Sequence, residues 1–161
     1  MRIYVASPLG FSEAGRHFYY GVIIPALEAQ GHDVVDPWKL TSPEKIEMAT
    51  QLSYGTAKRD AWKILNAEIA DNNREAIDQS DAIFAVLDGV DVDSGTASEI
   101  GYAFAKGKKI LGYRGDFRLS ADNEGAIVNL QVENFILQSG GSIIARMTEL
   151  PHALRQITPG G

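Results

Sequence analysis

Asp88, Asp91, Asp93 and Glu99 place four carboxylates within twelve residues, in the run Asp88-Gly89-Val90-Asp91-Val92-Asp93-Ser94-Gly95-Thr96-Ala97-Ser98-Glu99-Ile100-Gly101. Two carboxyl groups roughly 5 Å apart can carry out retaining glycoside chemistry, in which one of them forms a covalent sugar ester. Glu99 is the candidate nucleophile and Asp93 its partner. A helix reads from about Thr96 to Lys106, and Glu99 falls in its first turn, where the positive end of the macrodipole favours an ionised carboxylate. The same residues also have a purely structural reading. Thr96-Ala97-Ser98-Glu99 has the spacing of a capping box, with Thr96 as cap and Glu99 reaching back to its amide. Asp88 and Asp91 would then do no more than solvate a turn. Spacing alone leaves both readings open.

Other chemistries find no residues to carry them. The chain has no cysteine, which removes disulfides, thiolate metal sites and a cysteine nucleophile. Its three histidines, His17, His32 and His152, are far apart and in no ligand-like spacing, so neither a metal site nor a Ser–His–Asp triad is expected. There is no Gly-x-x-x-x-Gly-Lys-Ser/Thr loop and no Gly-x-Gly-x-x-Gly fingerprint. A net charge of −6 argues against a nucleic-acid polymer as partner. The apolar runs are too short for a membrane span. Met1-Arg2-Ile3-Tyr4-Val5 enters directly into a strand pattern, so a cytoplasmic protein without a leader is expected.

The elements that must position the carboxylates alternate between strand and helix along 161 residues, the length of one domain, 1–161. Ile3 to Ala6 reads as a strand that stops at Ser7-Pro8-Leu9-Gly10. Ser12 to Gln30 carries two i,i+4 apolar rows, Phe18/Val22/Ala26 and Tyr19/Ile23/Leu27, closed by Gly31; Pro25 predicts a kink with no evident purpose. Asp33 to Pro37 is a second strand, and a short helix follows Thr41-Ser42-Pro43. A long helix runs from about Gly55 to Gln79 with Trp62, Leu65, Ile69, Ala76 and Ile77 on one stripe. Ala82 to Leu87 is apolar on both faces, as a central parallel strand must be. Lys109 to Tyr113 and Ser142 to Ala145 are further strands, separated by a helix over 125–138, and a last helix covers 149–157. Five strands with intervening helices predict an α/β, flavodoxin-like doubly wound parallel sheet of order 2-1-3-4-5. Its ligands bind beyond the strands' carboxyl ends, between the loops after strands one and three, where Ser7, Asp88 and Gly95 sit. Asn73 falls on the buried stripe of the long helix; it either satisfies a neighbouring backbone or points into the crevice at a ligand.

At this point the residues resemble a known family, the nucleoside 2-deoxyribosyltransferases. The likeness covers about residues 2–132. It is carried by Ile3-Tyr4-Val5-Ala6-Ser7-Pro8, by Asn73 ahead of Ser80-Asp81-Ala82, and above all by Asp93-Ser94-Gly95-Thr96-Ala97-Ser98-Glu99-Ile100-Gly101-Tyr102-Ala103. Gly107-Lys108-Lys109-Ile110 and Val128-Asn129-Leu130 complete it. The resemblance implies transfer of 2-deoxyribose between nucleobases with retention, without metal or organic cofactor, in nucleotide salvage. Deoxynucleoside and free nucleobase would be the partners. It makes Glu99 the nucleophile, Asp93 the holder of the sugar hydroxyl, and Tyr4 the residue that orients the nucleophile. Ser7, Asn73, Asp88, Gly95 and Asn129 are the expected substrate-binding set. Asn129 would be lent to a neighbouring subunit, which makes a homo-oligomer with a dimer unit (or a tetramer or hexamer built on it) the expected assembly. Two positions depart from the pattern. Asn73 stands where some members carry Asp for the base proton, and Gln131 where some carry Met. The alternative within the same superfamily is an N-glycoside hydrolase of deoxynucleosides or their 5′-monophosphates.

Overall fold

The computed structural model describes residues 1–158. Its elements, in chain order, begin with β1 (Arg2–Ala6), α1 (Glu13–Phe18), α2 (Ile24–Glu28), β2 (Asp33–Val35), α3 (Pro43–Gln51), α4 (Thr56–Asp78) and β3 (Ala82–Val86). They continue with α5 (Ser94–Ala105), β4 (Lys109–Tyr113), α6 (Leu130–Gln138), β5 (Ile143–Ile144) and α7 (Leu150–Ile157). The five strands form one parallel sheet of order β2-β1-β3-β4-β5, as the alternation of elements predicts.

Side chains alternate across a strand, and the core accordingly divides at the sheet. Ile3, Val5, Phe84 and Val86 face the helices of residues 13–28 and α7. Tyr4, Ala6, Ile83 and Ala85 face the side covered by α4, α5 and α6. Every residue of β3 is buried, which fits its central place between β1 and β4. The order reverses between β1 and β3, so the loops that follow them diverge and leave a crevice.

Three local readings change. The segment before β2 is not one α-helix: a wider π turn over Tyr19–Ile23 joins α1 to α2, and the Ile24 N–H donates to the Tyr19 carbonyl. Pro25 follows immediately at the start of α2, so the widened turn takes up the disruption that its ring and missing N–H impose. The row Tyr19, Ile23 and Leu27 is buried as expected, but Val22 turns to solvent. The sixth helix starts at Leu130 and not near Gly125. Asn129 Oδ1 accepts from the Gln131 and Val132 N–H groups, and the Glu133 carboxylate accepts from Ile127 and Val128. Those caps end a long loop that runs from Arg114 to Asn129. Arg114 itself is buried; its guanidinium donates to the carbonyls of Leu87, Gly89 and Arg118, tying that loop to the one after β3.

Candidate active site

α5 begins at Ser94, not Thr96. Asp93 is the N-cap, its carboxylate accepting from the Thr96 N–H at 3.0 Å and standing 3.3 Å from the Thr96 hydroxyl. The capping box over residues 96–99 is therefore not formed, because Asp93 takes the role three residues earlier. Glu99 consequently lies in the second turn of α5, beyond the reach of the free amides, and the dipole is not what governs its charge.

What governs it is burial. Glu99 Oε1 accepts a hydrogen bond from the Tyr4 hydroxyl at 2.6 Å, reaching across from β1. Desolvation pushes the Glu99 carboxyl up to about 7, the negative charge of Asp93 adds to this, and the Tyr4 bond works against both. Tyr4 is held well above its ordinary range, first by burial and then by the Glu99 charge, so it stays a neutral donor. A carboxylate that titrates near neutrality, fixed through one oxygen by a phenol, leaves its other oxygen without a partner among the described residues.

That oxygen has somewhere to go. Glu99 lines a cavity of about 510 Å³ together with Asp93, Gly95, Thr96, Ser7 and Asn73. Five of the eight candidate residues thus line one cavity: Glu99, Asp93, Ser7, Asn73 and Gly95. Tyr4 joins them through its hydrogen bond. Asp93 and Glu99 are the two carboxylates of the lining. A Cβ on Gly95 would stand 3.1 Å from Asp93 Oδ2, so glycine leaves the carboxylate its space. The side-chain oxygen of Asn73 is buried and has no partner among the described residues, which is the arrangement expected of a group that waits for a ligand.

The other two candidates lie elsewhere. Asp88 is outside the cavity lining and accepts from the Asp116 N–H at 2.9 Å. Asn129 caps α6, with its side-chain nitrogen 3.3 Å from Asp122, and does not reach this chain's own cavity. The Tyr113–Arg118 segment is likewise outside; Asp116 pairs with Arg118 as a surface turn does.

The cavity's aromatic walls did not emerge from spacing. Trp38, Phe11 and Trp62 line it, with Ile46, Asn66 and Ile69. The Phe11 and Trp38 rings meet edge to face at 4.8 Å. Trp38 lies directly against the backbone of Gly10, where a Cβ would come within 2.1 Å of the indole. The Trp38 backbone N–H donates to the buried Asp36 carboxylate, which also accepts from the Tyr19 hydroxyl. Trp62 and Ile69 fall on the expected apolar stripe of α4, but they are only half-buried because this part of the stripe faces the cavity.

A family model for nucleoside 2-deoxyribosyltransferase matches residues 3–131. Among solved structures, a conserved protein from Enterococcus faecalis V583 is 25% identical over 97% of this chain and 98% of its own, with a TM-score of 0.71. A 2-deoxyribosyltransferase from Bacillus psychrosaccharolyticus is 22% identical over 94% and 90% of the two chains, with a TM-score of 0.65. A CMP N-glycosidase from Clostridium botulinum is 21% identical over 96% and 98%, with a TM-score of 0.54. The last two likenesses are of fold. No curated protein sequence matches. The family model spans the strand that carries Tyr4, the helix that carries Asn73 and the loop and helix that carry Asp93 and Glu99, and this chain belongs to the nucleoside 2-deoxyribosyltransferase family.

Proposed function

We propose that the protein transfers 2-deoxyribose between nucleobases through a covalent ester on Glu99, with retention at the anomeric carbon. The observation that carries this reading is the Glu99 carboxylate, held through one oxygen by Tyr4 at the base of an aromatic-walled cavity. The free oxygen attacks C1′ on the side opposite the base. The C1′–N bond breaks and its electron pair leaves with the base. A second base then attacks C1′ from the original face, the ester C–O bond breaks, and the carboxylate is restored. Positive charge grows on the sugar at the transition state, so a fixed carboxylate stabilises that state more than the neutral substrate. Asp93 holds a sugar hydroxyl in this reading. Trp38, Phe11 and Trp62 supply faces for the bases and exclude water from the ester. Asn73 can accept from or donate to a base edge but cannot deliver a proton as an acid would. Of the carboxyl groups, Asp93 is the one besides Glu99 that reaches the cavity.

The likeness to the CMP N-glycosidase supports one second reading, a hydrolase of deoxynucleosides or their monophosphates that lets water take the acceptor's place. Incubation with 2′-deoxyadenosine, with and without cytosine, separates the two. Deoxycytidine formation is the expected result; free deoxyribose alone, with cytosine ignored, would establish the hydrolase. Mass spectrometry of protein mixed with deoxynucleoside is expected to show a deoxyribosyl adduct on Glu99, absent from Glu99→Gln.

A further inference from the structure

The cavity is longer than a nucleoside needs. α4 and α5 run in the same direction, since both return from the carboxyl edge of a parallel sheet to its amino edge. Their register is fixed where the Tyr102 hydroxyl donates to Asp78 and Lys106 pairs with the same carboxylate at 3.0 Å. These two contacts put the first residue of α5, Ser94, level with the turn Asn66–Ala70 of α4, so the turns of α4 before Asn66, Trp62 among them, project beyond the end of α5. The cavity follows this projection along one helical face, through Asn73, Ile69, Asn66 and Trp62. Asn73 and Trp62 are eleven residues apart, about 16 Å along the axis at the usual helical rise. A purine reaches less than half that distance from its glycosidic carbon to its far edge.

The projection ends in a positively charged groove. Trp62 and Asn66 belong both to the cavity and to an adjoining groove of about 400 Å³ lined by Lys58, Arg59 and Lys63, with Tyr54 at its edge. Among the described residues none of these three cations pairs with a carboxylate. Lys58 donates to the Thr50 carbonyl, and Arg59 lies 3.4 Å from the Thr56 hydroxyl. Asp60, the acidic residue of this turn, is not part of the groove's lining. Three cations gathered at one cavity mouth stand out in a chain of net charge −6.

We infer that this subsite receives a nucleobase extended by an acidic arm. The inference rests on the glycosyl-transfer reading above. Attack by Glu99 requires the base to depart on the side of C1′ away from α5, and the cavity's long dimension lies along the projecting turns of α4. The base sits against Trp38 and Phe11, its substituent passes Ile69 and Trp62, and the anionic terminus meets Arg59 and Lys63. A 5′-phosphate, by contrast, belongs to the sugar and stays beside Asp93, away from the groove.

The two tryptophans of the chain, Trp38 and Trp62, both line this cavity, so tryptophan fluorescence reports on occupancy of the cavity and of the groove that shares Trp62. Two measurements test the inference. The first is fluorescence titration with N6-(3-carboxypropyl)adenine and its neutral counterpart N6-(3-carbamoylpropyl)adenine. The second is kcat/KM for the matching 2′-deoxynucleosides, beside 2′-deoxyadenosine and its 5′-monophosphate. The acidic base is expected to bind about three- to tenfold more tightly than the amide, as solvent-exposed charge pairs allow, with the preference shrinking as salt is raised. The Arg59→Ala/Lys63→Ala protein should lose that preference and keep its affinity for the amide; Lys58 is left in place because it also closes the turn onto Thr50. Equal binding of acid and amide would overturn the inference, as would a preference that survives in the double variant. A charge effect seen only with the 5′-monophosphate would overturn it too, by turning the sugar toward the groove. Turnover of unsubstituted 2′-deoxyadenosine tests the underlying reaction separately, and the free-base titration needs no turnover.

Discussion

In the proposed mechanism Glu99 attacks only when ionised, and its carboxyl is pushed up to about 7, by burial first and by Asp93 second. Activity is therefore expected to rise with pH through the neutral range. The two groups that act on Glu99 should move this limb in opposite directions. Tyr4→Phe removes the bond that favours the carboxylate, so the limb shifts to higher pH and kcat falls more than KM changes. Asp93→Asn keeps an N-cap side chain on α5 but removes the like charge, so the limb shifts to lower pH. A pH–rate profile in which either variant moves the other way refutes this account of the site's electrostatics. Stability carries the same signature. Because the folded carboxyl sits above its ordinary 4.5, the folded protein holds a proton that the unfolded chain has lost. Unfolding free energy should fall as pH rises from about 4.5 to about 7 and level off above, by at most about 3 kcal/mol and less given the side chain's part exposure. Denaturant titrations of Glu99→Gln should show that slope gone. Residue types and spacing pointed to Glu99 and Asp93, while Tyr4 entered only through the family resemblance. The charge state of Glu99 was not legible, because it depends on burial by side chains distant in sequence, and spacing suggested a helix-dipole effect that one turn of displacement removes.

At the scale of elements, the sheet order and the crevice could be read from the alternation of strands and helices, since a parallel sheet with right-handed crossovers leaves few arrangements. The ends of helices were harder to read. Asp93 and Thr96 are both good caps three residues apart, and nothing local chooses between them; the outcome depends on where β3 delivers the chain. The aromatic wall was hidden for a related reason. Trp38 follows β2 in a stretch with no clear periodicity, and its place is set by contact with the loop after β1. That contact is testable. In Gly10→Ala the new methyl would overlap the Trp38 indole, since a Cβ there comes within 2.1 Å of the ring. The indole must shift away from Phe11 and into the cavity. KM for nucleoside and base is expected to rise several-fold while the Glu99 pH limb stays where it was, because Tyr4 and α5 are untouched. An unchanged KM would mean that Trp38 does not form part of the binding surface.

For the whole molecule, the question is what covers the edge that carries Asn129. Phe117, Leu119 and Val90 are largely exposed, with Ile127 and Leu130 about half so; the first four lie on the two loops that Arg114 ties together, and Leu130 opens α6. Scattered apolar residues on a surface need no explanation, but four on adjoining loops and a fifth at the start of the next helix form the kind of patch that marks an association face. Asn129 borders this patch, already spends its oxygen on the α6 cap, and stands outside its own chain's cavity. Any contribution of Asn129 to substrate binding would therefore be made to a second copy's cavity, and we propose the patch as the shared contact. If so, charge placed on the patch should dissociate the protein and lower its activity together. Phe117→Asp/Leu119→Lys is expected to sediment as a monomer of 17.5 kDa and to lose most of its turnover, with its fold intact by circular dichroism. Residual activity should rise with protein concentration, because the site is completed by association. A variant that becomes monomeric yet keeps full turnover would show that each chain's cavity works alone, and Asn129 would then be a helix cap and nothing more.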